Sequence, residues 1–261
     1  MHYLFEIMVV NNMLDKIIGF FVRNAIPGTA RAFARFRGID GTIRYKVVVR
    51  GKALYLNLCP CDYLDREVIR HGYYENDVLS ELLVAPENAI IWDIGANIGL
   101  HSAAMASNRP DVSIVAVEAN PLLVKRLLAN VGLSTNVRVC VCGLSAEFGL
   151  LPFSIMLSGN TGLSSFSPLG EIKYDKVLSI ASIPACQLSS ECPTYVKVDV
   201  EGHELEVLKG FGSFRSQVKK YVIETSMPDD VLELLGKELY TCAPLGASHK
   251  RDFVFNRIEV L

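Results

Sequence analysis

The sequence predicts an α/β protein: a mostly parallel central sheet with helices on both faces, finished by a C-terminal antiparallel strand and preceded by a helix and β-hairpin extension. Three observations lead there. Short apolar runs at 90–94, 112–117, 137–142, 195–200 and 221–224 alternate with helical stretches, as strand–helix crossovers do. The runs are apolar throughout, which marks strands buried on both sides. The first run ends in a glycine-rich turn that opens at once into a helical pattern, the form of a nucleotide-binding unit.

At 261 residues the chain fits one large domain with a modest extension. A domain of that size buries roughly 70–75% of its unfolded surface, so a full core needs no staples. A net charge of −2 gives no drive toward nucleic acid or an anionic membrane, and no nucleic-acid partner is expected. Seven cysteines, with Cys59/Cys61 and Cys140/Cys142 spaced C-x-C, do not form the C-x-x-C pairs of a zinc site. They read as reduced core thiols. No apolar run reaches the roughly 18–20 residues of a spanning helix, and neither a basic start nor a small-residue cleavage site is seen. The cytoplasm is the expected location.

In chain order, Leu14, Ile17, Ile18 and Phe21 recur at helical spacing, and Pro27-Gly28 ends that helix. Residues 29–37 read as a second short helix. Eight Lys and Arg lie between Arg23 and Lys52 against the single acid Asp40, a solvated basic face or a docking surface for an acidic partner. Residues 43–49 and 53–58 flank Arg50-Gly51-Lys52 as a hairpin. Helices follow over 62–72 and 78–84, the second stopped before Pro86. Residues 1–85 are expected as an extension, a lid or substrate-side cap, with the main domain over 86–261. There, strand 90–94 leads to helix 100–107, strand 112–117 to helix 122–130, and strand 137–142 to an irregular Gly/Ser/Asn-rich loop over 148–167. A strand or sheet edge at 177–184 comes next. Strand 195–200 then runs into a helix through Lys209, strand 221–224 into a helix over 231–239, and 240–244 pairs with 253–260.

The chemistry sits at strand ends, where ligands of open parallel sheets bind. The first turn reads Asp93-x-Gly95-x-Asn97-x-Gly99, with Ala96 inside it. It is neither the G-x-G-x-x-G dinucleotide fingerprint nor a phosphate loop with Gly-Lys-Ser/Thr. An acid there suits a ligand bearing a positive or hydroxylated group rather than a pyrophosphate, which favours S-adenosylmethionine. Glu118 ends the second strand and is placed to accept ribose hydroxyls, with Ala119 and Asn120 beside it. Cys142-Gly143-Leu144 is expected to flank an adenine ring, Gly143 leaving room for it. Glu75, after Tyr73-Tyr74, is expected over the donor's amino-acid end, and His101 opens the helix behind the turn. Asp199 and Glu224 bring further carboxylates to the same edge.

These motifs carry a resemblance. Trp92-Asp-Ile-Gly-Ala-Asn-Ile-Gly99, Val117-Glu-Ala-Asn-Pro121 and above all Val196-Lys-Val-Asp-Val-Glu-Gly-His-Glu-Leu-Glu-Val-Leu-Lys-Gly210 resemble the FkbM family of S-adenosylmethionine-dependent methyltransferases. Gly72-Tyr-Tyr-Glu75 and Asn160-Thr-Gly162 are also similar to that family. The resemblance implies a Rossmann-like class I methyltransferase fold, S-adenosylmethionine as donor with S-adenosylhomocysteine as product, and O-methylation of a hydroxyl on a sugar, glycolipid or natural-product-like small molecule.

Moving an activated methyl group requires aligning donor and acceptor oxygen and removing a proton. Asp199, Glu201 and His203 stand where the fourth strand meets the next helix. Lys197 shares a strand face with Asp199 by alternation, so it can orient that carboxylate. Asp199 or Glu201 is expected to touch the acceptor, with His203 as a further base candidate and Lys197 as a group that could hold a deprotonated acceptor. Glu201 and Glu204 in a first helical turn also suit the helix dipole. Asp199, Glu201, His203, Glu204 and Glu224 offer hard ligands for a divalent ion, but carboxylates at a helix start do not by themselves make a metal site, and none is assigned. Two other readings stand beside this one: a nicotinamide dinucleotide oxidoreductase, and a non-catalytic module that kept the fold.

Overall fold

The computed structural model describes residues 13, 16–24, 41–157, 159–168, 170, 172–246 and 251–258. The helix expected over 29–37 and the last residues of the final strand lie outside them, as does part of the basic run. The chain divides into two compact units. The smaller takes residues 1–74 and 157–161, the larger 75–156 and 162–261.

In the smaller unit, residues 16–23 form helix α1. Strands β1 (Ile43–Val49) and β2 (Lys52–Leu58) pair antiparallel about Arg50-Gly51, both left-handed, as a tight hairpin turn requires. Ile43, Val47 and Val49 share a buried face with Leu54, Leu56 and Leu58. Helix α2 (Tyr63–His71) follows and ends at left-handed Gly72. The side chain of Asp62 accepts hydrogen bonds from the amide and hydroxyl of Thr161.

The compact units divide at 74/75, eleven residues before the expected boundary at 85/86. Helix α3 (Asn76–Leu83) buries Val78, Leu79 and Leu82 and packs on elements of the larger unit. Its C-terminal carbonyls are gathered by Arg109, whose guanidinium donates to the carbonyls of Leu83, Ala85 and Pro86 and to Asp111.

The larger unit is built on β3 (Ile90–Ile94), α4 (Leu100–Asn108), β4 (Ser113–Val117), α5 (Val124–Val131), β5 (Val137–Cys140), β9 (Tyr195–Val198), α6 (Glu204–Gly210), β10 (Lys220–Glu224), α7 (Pro228–Leu235), β11 (Tyr240–Pro244) and β12 (Asp252–Arg257). Seven strands form one sheet in the order β11-β12-β10-β9-β3-β4-β5. The five from β10 to β5 run parallel, and β12 and β11 add the antiparallel ribbon. From β3 the chain moves outward to β4 and β5, then returns to the other side of β3 with β9. The strand order therefore reverses between β3 and β9, the crevice where such sheets bind ligands.

Side-chain alternation sends the two faces to different helices. Trp92, Ile94, Val115, Val117, Val196, Val198, Tyr221 and Ile223 join Val207, Leu208, Phe211, Val231 and Leu235 in the main core. On the opposite face, Ala116 meets Leu127 and Val131 of α5. Asp93 and Lys197 project to that second face, opposite one another in the register.

A second, three-stranded sheet was not anticipated. The strand expected over 137–142 leaves the main sheet at Cys140, and β6 (Gly143–Leu144) pairs with β8 (Lys176–Ile183), which also pairs with β7 (Gly149–Ile155). β7, which contains Pro152, crosses a stretch read as irregular for its Gly, Ser and Asn content. As the edge strand of that sheet it can carry a proline without losing a ladder bond. Helix α7 runs 228–235 rather than 231–239: Pro228 supplies a preset first turn, and Gly236, at φ 100°, stops it.

Candidate active site

The turn after β3 is closed by backbone bonds to the end of β4 and within itself. The amides of Gly95 and Ala96 both donate to the carbonyl of Val117, at 2.9 and 3.0 Å, and that of Gly99 donates to Ala96. The amide of Asn97 donates to Glu118 Oε2 at 2.7 Å, and Glu118 Oε1 accepts the amide of Asn120 at 2.6 Å. Glu118 thus fastens the turn as well as facing the crevice. Burial pushes its carboxyl up to about 7, against the two amide bonds that favour the charge. Gly95 is left-handed, and a Cβ there would fall 1.7 Å from the carbonyl oxygen of Asp199. Only glycine lets β3 and β9 close up at the crevice.

Beneath the turn, Asp93 and Lys197 are buried, 0% and 4% exposed. Ser102 of α4 donates to Asp93 Oδ2 at 2.6 Å. Lys197 Nζ lies 3.7 Å from Asp93 Oδ1 and donates to Asp199 Oδ2 at 3.0 Å. Burial alone would lower the lysine, but Asp199, Asp93 and Glu75 outweigh it and hold the ammonium charged. Among the described residues Asp93 Oδ1 has no hydrogen-bond donor of its own.

Around this pair the structure gathers the carboxyl groups expected at the strand ends, with more besides. Asp199, Glu201 and Glu224 are part-exposed. Burial, then repulsion from Asp199 and Glu204, pushes Glu201 up to about 7. Burial, then Asp199, Glu201, Glu75 and Asp252, raises Glu224 further. Glu204 is buried and accepts the amide of Gly202 at 2.7 Å, a helix-start role. Glu75 belongs to the group: its Oε2 meets His101 Nε2 at 3.0 Å, which ties the start of α3 to α4. Glu75, Asn97 and Glu201 all hold left-handed backbone, at φ 57°, 52° and 51°. Such strain in non-glycine residues concentrates at functional sites.

Two of the expected residues have partners that the sequence does not show. His203 is held at both ring nitrogens, Nδ1 by Ser167 Oγ at 3.0 Å and Nε2 by Ser145 Oγ at 3.2 Å. Burial lowers its pKa. Both ring nitrogens are engaged by serine hydroxyls, so the imidazole is tied to Ser145 and to the loop at Ser167. Gly143 does leave room, but Phe166 fills it: a Cβ there would lie 2.4 Å from the Phe166 ring. That ring packs on Phe153 and on His203, at 4.7 and 5.2 Å between centroids. Cys142 stands beside Gly143 with its thiol pushed up to about 11 by burial, and Leu144 is core.

Sequence reasoning missed Ser102, Ser145 and the segment 164–167. Ser165 Oγ donates to the carbonyl of Glu201 at 2.7 Å and so steadies the left-handed loop. Serines carry no pattern that distinguishes these from surface serines. Among the described residues no group of three or more His, Cys, Asp or Glu is arranged to hold a metal ion.

A parallel sheet with its order reversed beside a glycine turn, and carboxylates rather than free amides at that turn, defines a nucleotide-binding α/β methyltransferase. The comparisons agree. Residues 93–241 match the methyltransferase FkbM domain. A hexuronic acid methyltransferase, AglP, of Haloferax volcanii is 31% identical over 193 residues, covering 70% of this chain and 77% of that protein. Methyltransferase sdnD of Sordaria araneosa is 31% identical over 180 residues, covering 56% and 70%. Among solved structures, a methyltransferase FkbM from Methylobacillus flagellatus aligns over 74% of this chain at 15% identity with a TM-score of 0.49, and this chain spans 52% of its length. The protein belongs to the FkbM family of methyltransferases, whose methyl donor is S-adenosylmethionine.

The crevice fits that donor. Its ammonium and ribose hydroxyls are hydrogen-bond donors, and the site offers Glu118 and the buried oxygens of Asp93 and Asn97, neither with a donor among the described residues. A pyrophosphate would need amides instead, and those of Gly95, Ala96, Asn97 and Gly99 are already used. No helix among the described residues is long and apolar enough to cross a membrane.

Proposed function

We propose that the protein O-methylates a hydroxyl group of a sugar or a sugar-like natural product. The ion pair that joins Asp93, Lys197 and Asp199 carries this reading, because it couples the floor of the donor turn to the acceptor end of β9. The relatives named above, one acting on a hexuronic acid, support a small hydroxylated acceptor.

In this reading the donor rests on the turn 93–99, with Gly95, Ala96, Asn97 and Gly99 against it. Glu118, Ala119 and Asn120 take the ribose side, and Glu75 the amino-acid end. Cys142, Gly143 and Leu144 border the base through Phe166. The donor supplies a methyl group already activated on a sulfonium. Lys197 holds Asp199 in one orientation through a charge-assisted hydrogen bond of 3.0 Å. Asp199, so fixed, positions the acceptor hydroxyl. Glu201 takes its proton: a carboxyl poised near 7 is matched to general-base work at neutral pH, worth about 10²–10⁴ in rate.

The test is methyl transfer from radiolabelled donor to a panel of glycosides, with wild type, Glu201→Gln and Asp199→Asn. The expected result is transfer by wild type and a hundredfold or greater loss of kcat in Glu201→Gln with S-adenosylhomocysteine affinity kept. Near-native turnover by both variants refutes the assignment.

A further inference from the structure

The first turn of α4 carries two neighbours, His101 and Ser102, that each hold a different acid. Ser102 Oγ donates to Asp93 Oδ2 of β3 at 2.6 Å. His101 Nε2 lies 3.0 Å from Oε2 of Glu75, the residue just before α3. Successive residues of a helix point about 100° apart, which is how one turn reaches two elements. The helix opens directly from the glycine turn, with Gly99 left-handed at φ 80°. Both contacts therefore start from the same segment that forms the donor turn.

The contact between His101 and Glu75 is buried, their side chains being 7% and 11% exposed. An ionised carboxylate only accepts, so the ring N–H of His101 donates to it. Such a charge-assisted bond is stronger away from water than at the surface. The carboxylate held in this way acts electrostatically on Lys197, Glu201 and Glu224, so it belongs to the group at the strand ends. The backbone of Glu75, left-handed at φ 57°, is one that a residue with a side chain keeps only where its surroundings impose it.

We propose that His101 is a positioning residue for recognition of the methyl donor: it fixes the Glu75 carboxylate in the orientation that pairs with the donor's ammonium group. The inference rests on the reading that Glu75 takes the amino-acid end, and it names what makes that acid ready. A glutamate whose side chain must be ordered as the ligand arrives loses affinity to that ordering. His101 orders it beforehand, from a rigid helix rather than a loop. Its bond occupies one lone pair of a group that offers about four, so the same carboxylate can also accept from an ammonium.

The test compares two ligands that differ only at that ammonium: S-adenosylhomocysteine and its desamino analogue, with hydrogen in place of the amino group. Dissociation constants are measured by calorimetry on the full chain for wild type, Glu75→Gln, His101→Leu and His101→Gln, with thermal unfolding alongside. Wild type should prefer S-adenosylhomocysteine by roughly tenfold or more, the scale of a hydrogen bond between charged groups. His101→Leu should lose most of that preference through weaker S-adenosylhomocysteine binding, with the affinity for the analogue nearly unchanged. His101→Gln, whose amide can donate to the same carboxylate, should recover part of it. A purely structural role would weaken both ligands together. If His101→Leu does not fold, His101→Asn replaces it, since that amide is too short to reach Glu75. A preference kept in His101→Leu, a parallel loss of both ligands, or no recovery in His101→Gln overturns the inference. Where Glu75→Gln has meanwhile lost the preference, the reading of Glu75 stands without it. A preference kept in Glu75→Gln, or absent from wild type, overturns that reading and this inference together.

Discussion

Lys197 and Asp93 stand opposite one another on neighbouring parallel strands, at the one place in the sheet where the strand order reverses. The strand that founds the glycine turn and the strand that leads to Asp199 are thus joined by a buried ion pair. Breaking such a pair from one side leaves the other charge unpaired, which costs about 3–5 kcal/mol. Lys197→Met should lower stability by that amount in urea unfolding. Adding Asp93→Asn should restore part of the stability without restoring methyl transfer, because Asp199 still lacks its anchor. If the double variant regains turnover, Lys197 serves stability alone.

Glu118 predicts the direction of a pH effect. Its carboxyl is held at about 7 when folded, against an ordinary 4.5. Between those values the folded protein keeps a proton that the unfolded chain gives up. The associated stability is therefore complete below about pH 4.5, declines as pH rises toward 7, and is constant above. The size is at most about 3 kcal/mol. Urea midpoints taken across pH 5–8 should fall for wild type and fall less for Glu118→Gln. The same variant loses one of the two amide bonds at the turn, so its S-adenosylhomocysteine affinity should drop at least tenfold by calorimetry.

Gly95→Ala should strain the crevice in two ways. The left-handed backbone costs an alanine roughly 1–2 kcal/mol, and its methyl group would collide with the Asp199 carbonyl. Overpacking adds about 1–3 kcal/mol. Thermal unfolding should begin well below that of wild type, and donor binding should vanish. Retained donor affinity in a folded Gly95→Ala protein contradicts the close approach of β3 and β9.

His203→Asn tests whether the imidazole works as a clamp. Losing one of its two serine bonds should destabilise the fold by about 1–3 kcal/mol, while kcat falls less than tenfold. Because burial lowers the folded pKa of His203, its contribution is present above about pH 6.5 and is lost as pH falls and the unfolded chain takes up the proton. A kcat loss of a hundredfold or more in a fully folded His203→Asn protein returns the histidine to the chemistry.

The features legible in the sequence were those with a local signature. Asp93 through Gly99 and Glu118 stand at the ends of uninterrupted apolar runs, where strand and turn chemistry leave little choice. Lys197 and Asp199 came from the motif at the end of a strand, and alternation put them on one face. What could not be read depended on partners distant in the chain. Gly143 advertises space without saying that Phe166 fills it from more than twenty residues on. Ser102, Ser145 and Ser167 become distinctive only when Asp93 and His203 arrive beside them. The Gly/Ser/Asn-rich composition of 148–167 masked β7, which shows itself only through its pairing with β8. The start of α7 was readable in principle, since proline favours a first helical turn and glycine follows the last, but the apolar period of 231–239 was the louder pattern.

Glu75, Asn97 and Glu201 keep side chains where glycine would sit more easily. An engineer seeking a heat-tolerant catalyst would be drawn to these three places, because relaxing them removes a standing cost. Each change would take away a carboxylate or amide from the reacting region. Heat tolerance is better sought away from the crevice, at exposed apolar side chains such as Leu133, Leu150 and Phe148, where polar replacements leave the chemistry alone.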